Sequence, residues 1–299
     1  MREGMDGSPV RKVGRNPSCP VHANSGLKLI HVNAARCNMA HHPQSEAFSM
    51  LTQNLLSNRQ TDLSDDERSA LEGAISHTQT FPAGHVVVRQ GVPVDISTLL
   101  VEGLMTRHVD AADGKRHLVA VHIPGDFVDL HAYALKKLDH DVAALTDVTV
   151  AIFKHASLER LQQVDNHLTR RLWFLTLLDA ALHRQWIYRL ASLNAVQRVA
   201  HFLCETNARL LAIDASDGNT FALPMTQADI GEVCSLTNVH VNRVLRELRE
   251  LGLCQVRSSR VHITDLKGLI AKALFDPEYL YLNPQIAARA TAQVGDPHD

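Results

Sequence analysis

The 299-residue sequence predicts an α+β chain in three consecutive parts: an antiparallel β-roll, a long connecting helix, and a small C-terminal domain of short helices with a β-hairpin. Between Phe81 and Phe153, short β-rich runs alternate with turn signals. Over residues 157–193 no Pro or Gly interrupts a helical pattern. Over residues 225–253 two helical patterns are separated by about three residues. At roughly 150 residues per domain, the length suits about two domains and a sizeable core.

Residues 1–47 are rich in Gly, Pro, Asn, Ser and His without a hydrophobic period and read as an irregular or mobile tail. The roll domain is drawn over residues 48–156. It opens on LSDDERSALEGAISH, where an acidic start and Leu63, Leu71 and Ile75 predict a short amphipathic helix. Strands follow at Val86 to Val88, and in runs ending at Val101, Ile123 and Phe153. Pro82-Ala83-Gly84, Gln90-Gly91, Glu102-Gly103, Asp113-Gly114 and Pro124-Gly125-Asp126 separate them, and Asp113-Gly114 is the strongest hairpin signal.

Residues 157–193 form the long helix. Leu168, Leu172, Leu175, Asp179, Leu182 and Trp186 recur at alternating spacings of three and four or their sums, the seam of a helix lying lengthwise on another helix. A dimer contact and a stripe packed on the chain's own domain both satisfy that spacing. Asp179 on such a seam would either face its symmetry mate, lie exposed, or pair with His183 or Arg184.

The C-terminal domain is drawn over residues 194–268, with residues 269–299 left as a tail. A helix from Ala195 to about Ile213 leads through DASDGNT into MTQADIGEVCSLTNVHVNRVLRELRELGL. Thr226 caps a first helix through Ile230 and Val233, Ser235-Leu236-Thr237 breaks it, and Val241, Val244, Leu245 and Leu248 line the inner face of a second. This is a helix-turn-helix, whose second helix enters the DNA major groove. Its solvent-facing Asn238, His240, Asn242 and Arg243 suit base edges, since Arg pairs with guanine and Asn with adenine. Arg246 and Arg249 suit a solvated face or phosphates equally. CQVRSSRVHIT forms a hairpin wing with Arg257 and Arg260 at its tip, placed to hold phosphates.

The order of FPAGHVVVRQG, IPGDF, the long helix and TQADIGEVCSLTNVHVNRVLREL resembles the bacterial Crp/Fnr-type transcription regulators over about residues 60 to 268. That resemblance implies a cyclic-nucleotide-binding-like roll, a homodimer formed through the long helix, a pseudo-palindromic site on double-stranded DNA, and RNA polymerase as a partner. It also places Thr226 and Gln227 at positions resembling phosphate contacts and matches Arg243 to the family's base-reading arginine. Ser235 stands where the family usually has Gly, and Val239 where many members carry Glu, so the usual target sequence does not transfer.

Charge and composition bound the rest. Thirty basic against 32 acidic residues give a net charge of −2, so nucleic-acid binding must come from a local patch. No apolar run approaches the ~20 residues of a spanning helix, so a cytoplasmic chain without membrane contact is expected. The five cysteines form no CxxC pair; only Cys19 and Cys37 precede the roll and none lies in it, so an iron–sulfur cluster is not expected. Cys204, Cys234 and Cys254 read as buried, inert thiols. Gly125 and Asp126 resemble part of a cyclic AMP cassette, but Asp129 and Asp141 add negative charge where a phosphate-binding Arg would lie. Cyclic AMP is therefore not expected, and the effector and cofactor are left unassigned. His108, His117, His122, His131 and His140 form no H-x3-H or H-E-x-x-H pair, and no metal site is assigned. An enzyme on a metal-binding roll is disfavoured because Glu102 is the sole glutamate between Phe81 and Phe153. The remaining alternative is a ligand-independent regulator controlled by a protein partner.

Overall fold

A computed structural model describes residues 51–112 and 114–291. The predicted N-terminal tail and Asp113 lie outside the described residues. Ser64 caps α1 (Asp65–Ala74) in a reciprocal capping box with Glu67, and the chain turns directly into β1 (Ile75–Phe81). Ile75, expected on the helix, is the first residue of that strand.

The roll continues with β2 (Val86–Val88), β3 (Ile96–Glu102), β4 (Met105–Asp110), β5 (Arg116–His122), the short α2 (Ala132–Leu135), β6 (Asp141–Ala144) and β7 (Val148–Lys154). Two antiparallel sheets form, in the orders β1-β7-β3 and β2-β6-β4-β5. Val88, Leu100, Met105, Val142, Val150 and Ile152 come from both sheets and fill the space between them. β1, β4 and β6 carry no clear alternation: five residues of β1 are exposed, whereas the first four of β4 are buried. At Gly125, with φ +93°, a Cβ would collide with the backbone of Asn54, so glycine is required.

The predicted helix over residues 157–193 is two helices, α3 (His155–Val164) and α4 (Asn166–Ser192). Asp165 separates them: its backbone is extended, and its carboxylate accepts the N–H of Leu168 as the N-cap of α4. Asn194 then caps α5 (Ala195–Leu211), which runs through the centre of the C-terminal domain.

Around α5 lie β8 (Thr220–Ala222), α6 (Gln227–Cys234), α7 (Asn238–Glu250), the wing strands β9 (Cys254–Arg257) and β10 (Arg260–Ile263), and α8 (Leu266–Ala273). The stretch drawn as a C-terminal tail is packed structure as far as residue 291: α8 is followed by a 3₁₀ turn (Pro277–Leu280) and α9 (Pro284–Thr291). Leu280, Leu282, Ile286 and Ala290 are buried in the domain's core. This segment also reaches the start of the roll: Gln60 N–H donates to Tyr281 O at 2.8 Å, Asn283 N–H to Asn58 O at 2.9 Å, and Arg59 donates to the Leu280 carbonyl. Pro277 and Pro284 break its apolar residues into short pieces, so no sustained helical stripe shows in the sequence.

Candidate nucleic-acid interface and sensor cavity

Thr226 opens α6 with a reciprocal cap: its hydroxyl accepts the Asp229 N–H at 3.1 Å, and Asp229 Oδ2 accepts both the Thr226 hydroxyl (2.6 Å) and N–H (2.8 Å). Ser235 ends the helix in the left-handed region, at φ 53° and ψ 51°, where the sequence places a side chain at a turn suited to glycine. Gly231 lets the turn close, because a Cβ there would lie 2.6 Å from Leu236 O. Thr237 caps α7, and Val241, Val244 and Leu248 anchor its inner face.

The opposite face of α7 is open. Asn238, His240, Asn242 and Arg243 are exposed, as are Thr226 and Gln227 at the front of α6. The Asn242 amide donates to Asn238 O at 3.3 Å, which holds it along the helix. Ser258 and Ser259, with φ 48° and 58°, make the wing's two-residue turn, and exposed Arg257 and Arg260 flank it in register. Arg246, Arg249 and Arg257 line one groove with Gln227 and Asn242, so the two arginines left open by the sequence stand beside the wing. The groove gathers three cations on a chain of net charge −2.

A second site lies where the roll meets α4. Arg107 on β4 is buried, donates Nε–H to Val128 O, and contacts both carboxylate oxygens of Asp179 at 2.9 and 2.7 Å. Arg209 of α5 donates to Val121 O and pairs with Asp126 at 2.5 Å. Burial opposes ionisation of both carboxyls, yet Arg107 holds Asp179 and Arg209 holds Asp126 below the usual carboxylate range. Burial, then Arg107, pushes His122 down to about 4 and His131 to about 3. Asp129 is fully buried, accepts the Thr98 N–H at 2.5 Å, and is pushed up to about 7 by burial. The cavity between Arg107, His131, Asp179 and Trp186 measures about 40 Å³, room for a few waters.

Sequence comparison matches residues 78–165 to the cyclic nucleotide-binding domain and residues 197–272 to the Crp-like helix-turn-helix domain. The chain is 29% identical over 215 residues to the transcriptional activator protein FnrL of Cereibacter sphaeroides, covering 70% of this chain and 85% of that protein. It is 28% identical over 188 residues to the nitrogen fixation regulation protein FixK of Bradyrhizobium diazoefficiens, covering 62% and 77%. The chain belongs to the Crp/Fnr-type transcription regulators. The structure of FixK2 from Bradyrhizobium japonicum shares its fold, with a TM-score of 0.59 at 24% identity over 65% of the regulator and 96% of that chain.

In the regulator the predicted seam faces inward. Leu168 and Leu172 pack with Leu55, Leu71, Phe153 and Leu158, and Leu175 lies against the same core. Leu182 and Trp186 join the C-terminal core, and Trp186 donates to Glu205 at 3.0 Å. Asp179 meets Arg107 of the same protomer, with His183 at 3.7 Å. These six residues therefore pack within their own protomer, Leu168, Leu172 and Trp186 fully and Leu175, Asp179 and Leu182 in part, because spacing identifies a buried stripe but not what buries it. A second stripe is exposed instead: Trp173, Leu177, Arg184 and Ile187, with Trp173 and Ile187 about two-thirds accessible.

Two further features escape sequence reading. Arg107 and Asp179 are 72 residues apart, so no local spacing joins them. Arg116 of β5 pairs with Glu232 at 3.0 Å and Asp229 at 3.4 Å, tying the roll to α6. Cys204, Cys234 and Cys254 are buried; burial raises all three, Cys234 to about 11 and Cys254 to about 12. Among the described residues no helix is long and apolar enough to cross a membrane.

Proposed function

We propose that the regulator acts as a homodimer reading a pseudo-palindromic site on double-stranded DNA. α7 enters the major groove, with Asn238, His240, Asn242 and Arg243 at base edges. Arg246, Arg249, Arg257 and Arg260 hold phosphates, as does the front of α6 at Thr226 and Gln227. The Thr226 hydroxyl is engaged by Asp229, so its phosphate contact runs through the exposed helix start rather than a free hydroxyl. The observation that carries this reading is the open polar face of α7 beside a groove with three arginines, on a chain with no net positive charge.

The dimer contact belongs to the second stripe of α4. Trp173, Leu177, Ala180, Arg184 and Ile187 follow spacings of four, three, four and three, the repeat of two helices lying along each other. An exposed Trp and two exposed aliphatics on one helix face favour a second copy over solvent. RNA polymerase contact and a cytoplasmic location belong to the same reading.

The sensor cavity supports a signal other than cyclic AMP. Arg107 and Arg209, the cations at this cavity, are each neutralised by a carboxylate of the chain itself, and the space falls well below the ~300 Å³ of small-molecule pockets. An anionic effector would have to displace Asp179 or Asp126. The three cysteines of the C-terminal domain are too deeply buried to serve as cluster ligands without unfolding it. An enzymatic role finds no support in this site.

Selection of bound duplexes at moderate salt tests the DNA reading. Recovery of a two-fold-symmetric site whose binding is abolished by Arg243→Glu, with an unchanged melting temperature, is the expected result. Binding that survives the charge reversal would refute α7 as the reading helix.

A further inference from the structure

The roll also assembles a set of metal-ligating side chains that the sequence shows no motif for. β4 and β6 pair antiparallel with His108 directly opposite Asp141. Asp110 lies two residues beyond His108 on β4, past an irregularity in the β4–β5 register between Arg107 and His108. One ligating atom from each of His108, Asp110 and Asp141 lies within 4.8 Å of the others. We propose that these three residues bind a first-row divalent cation such as Zn²⁺ or Mn²⁺, with water completing the coordination.

Geometry and chemistry both support the assignment. His108 is 6% exposed, and its Nε2, the ring nitrogen that would ligate, stands 3.6 Å from Asp141 Oδ2. That separation is long for a hydrogen bond and close to the ~3–3.5 Å expected of two atoms bound to one ion at ~2.1 Å. The backbone orients Asp141, whose Oδ1 accepts the Gln90 N–H at 2.5 Å and leaves Oδ2 toward the imidazole. Asp110 is exposed, so its carboxylate is free to swing onto an ion. Arg116, opposite Asp110 in the β4–β5 ladder, directs its guanidinium to Glu232 and Asp229, and Asp110 is the weakest of the three acidic influences on it. One imidazole with two carboxylates suits Zn²⁺ or Mn²⁺ better than Mg²⁺ or Ca²⁺, which prefer all-oxygen sets. The site adjoins Arg107, so a bound ion would clamp β4 to β6 beside the bond from the roll to α4.

The test is titration of the chelator-stripped full chain with Zn²⁺ and, separately, Mn²⁺, followed by metal analysis and thermal melting. The chain has 18 histidines, so the decisive quantity is the difference between wild type and variants. Asp110→Asn alters an exposed side chain and leaves packing intact; Asp141→Asn and His108→Gln probe the buried pair. The expected result is about one more ion per wild-type chain, at least tenfold weaker binding in each variant, and a metal-dependent rise in melting temperature that the variants lose. Equal stoichiometry and equal thermal shift in wild type, Asp110→Asn and Asp141→Asn would overturn the proposal, because the ions would then sit on histidines elsewhere. DNA is absent from these measurements, so their outcome is independent of the operator-binding reading.

Discussion

Asp129 shows how a single buried carboxyl sets a pH response. It ionises near 4 in the unfolded chain and near 7 when folded, so the folded state keeps a proton that the unfolded chain has lost. Its contribution to stability is fully present below about 4 and is lost as pH rises through 7. His122 and His201, pushed down to about 4, and His131, to about 3, have the opposite sign. Their contribution is present above about 6.5 and is lost as pH falls toward their folded values. Three such histidines outweigh one aspartate, so the melting temperature should fall between pH 7 and pH 5. Asp129→Asn keeps an acceptor for the Thr98 N–H and removes the charge. Calorimetry should show it stabilising the protein at pH 8 more than at pH 5, and an equal effect at both would contradict the assignment.

The turn between α6 and α7 supplies a second test at the same scale. Ser235 occupies a left-handed conformation that costs a non-glycine residue about 1 kcal/mol, partly offset by the backbone entropy glycine loses on folding. Ser235→Gly should therefore leave stability unchanged or raise it by up to about 1 kcal/mol. Gly231→Ala should lower it by about 1–3 kcal/mol, since the added methyl meets Leu236 O at 2.6 Å. Denaturant unfolding measures both. The sequence identified the unusual serine, but the crowded glycine became visible only when the Leu236 carbonyl was placed against it.

At the scale of elements, α7 and the wing act together. Arg246, Arg249 and Arg257 come from the helix and the first wing strand and meet in one groove with Gln227. Replacing any one with Ala should weaken binding across sequences and lower the slope of log affinity against log salt by about 1. Arg243→Ala should instead relax the sequence preference, at about 1–3 kcal/mol for the affected base pair. Quantitative binding at several salt concentrations separates the two behaviours. The helix-turn-helix was legible because caps, the break and the buried Val241, Val244 and Leu248 are all encoded within about 30 residues. The groove was not, because it depends on where the wing folds.

At the scale of the whole molecule, α4 has two apolar stripes with different duties. The stripe through Leu168 and Leu172 closes the roll, and Leu182 and Trp186 join the C-terminal core. The stripe through Trp173, Leu177 and Ile187 remains exposed. Leu177→Asp should yield a folded monomer in analytical ultracentrifugation with its melting transition retained, whereas Leu172→Asp should lose the folded state altogether by burying an unpaired charge. A dimeric Leu177→Asp protein would move the interface off this stripe. Ties between the domains are equally long in range: Arg107 to Asp179, Arg209 to Asp126, Arg116 to Glu232, and the 3₁₀ segment to residues 58–60.

Local sequence determined the roll's main strands, the long helical region, the helix-turn-helix and the exposed polar face of α7. Each depends on hydrophobic period, caps and turns acting over a few residues. Tertiary structure alone decided which stripe of α4 the protomer buries, which carboxylate meets Arg107, how residues 269–291 join the core, and the gathering of His108, Asp110 and Asp141. Those outcomes require partners from distant parts of the chain, and side-chain spacing specifies a face without specifying what covers it.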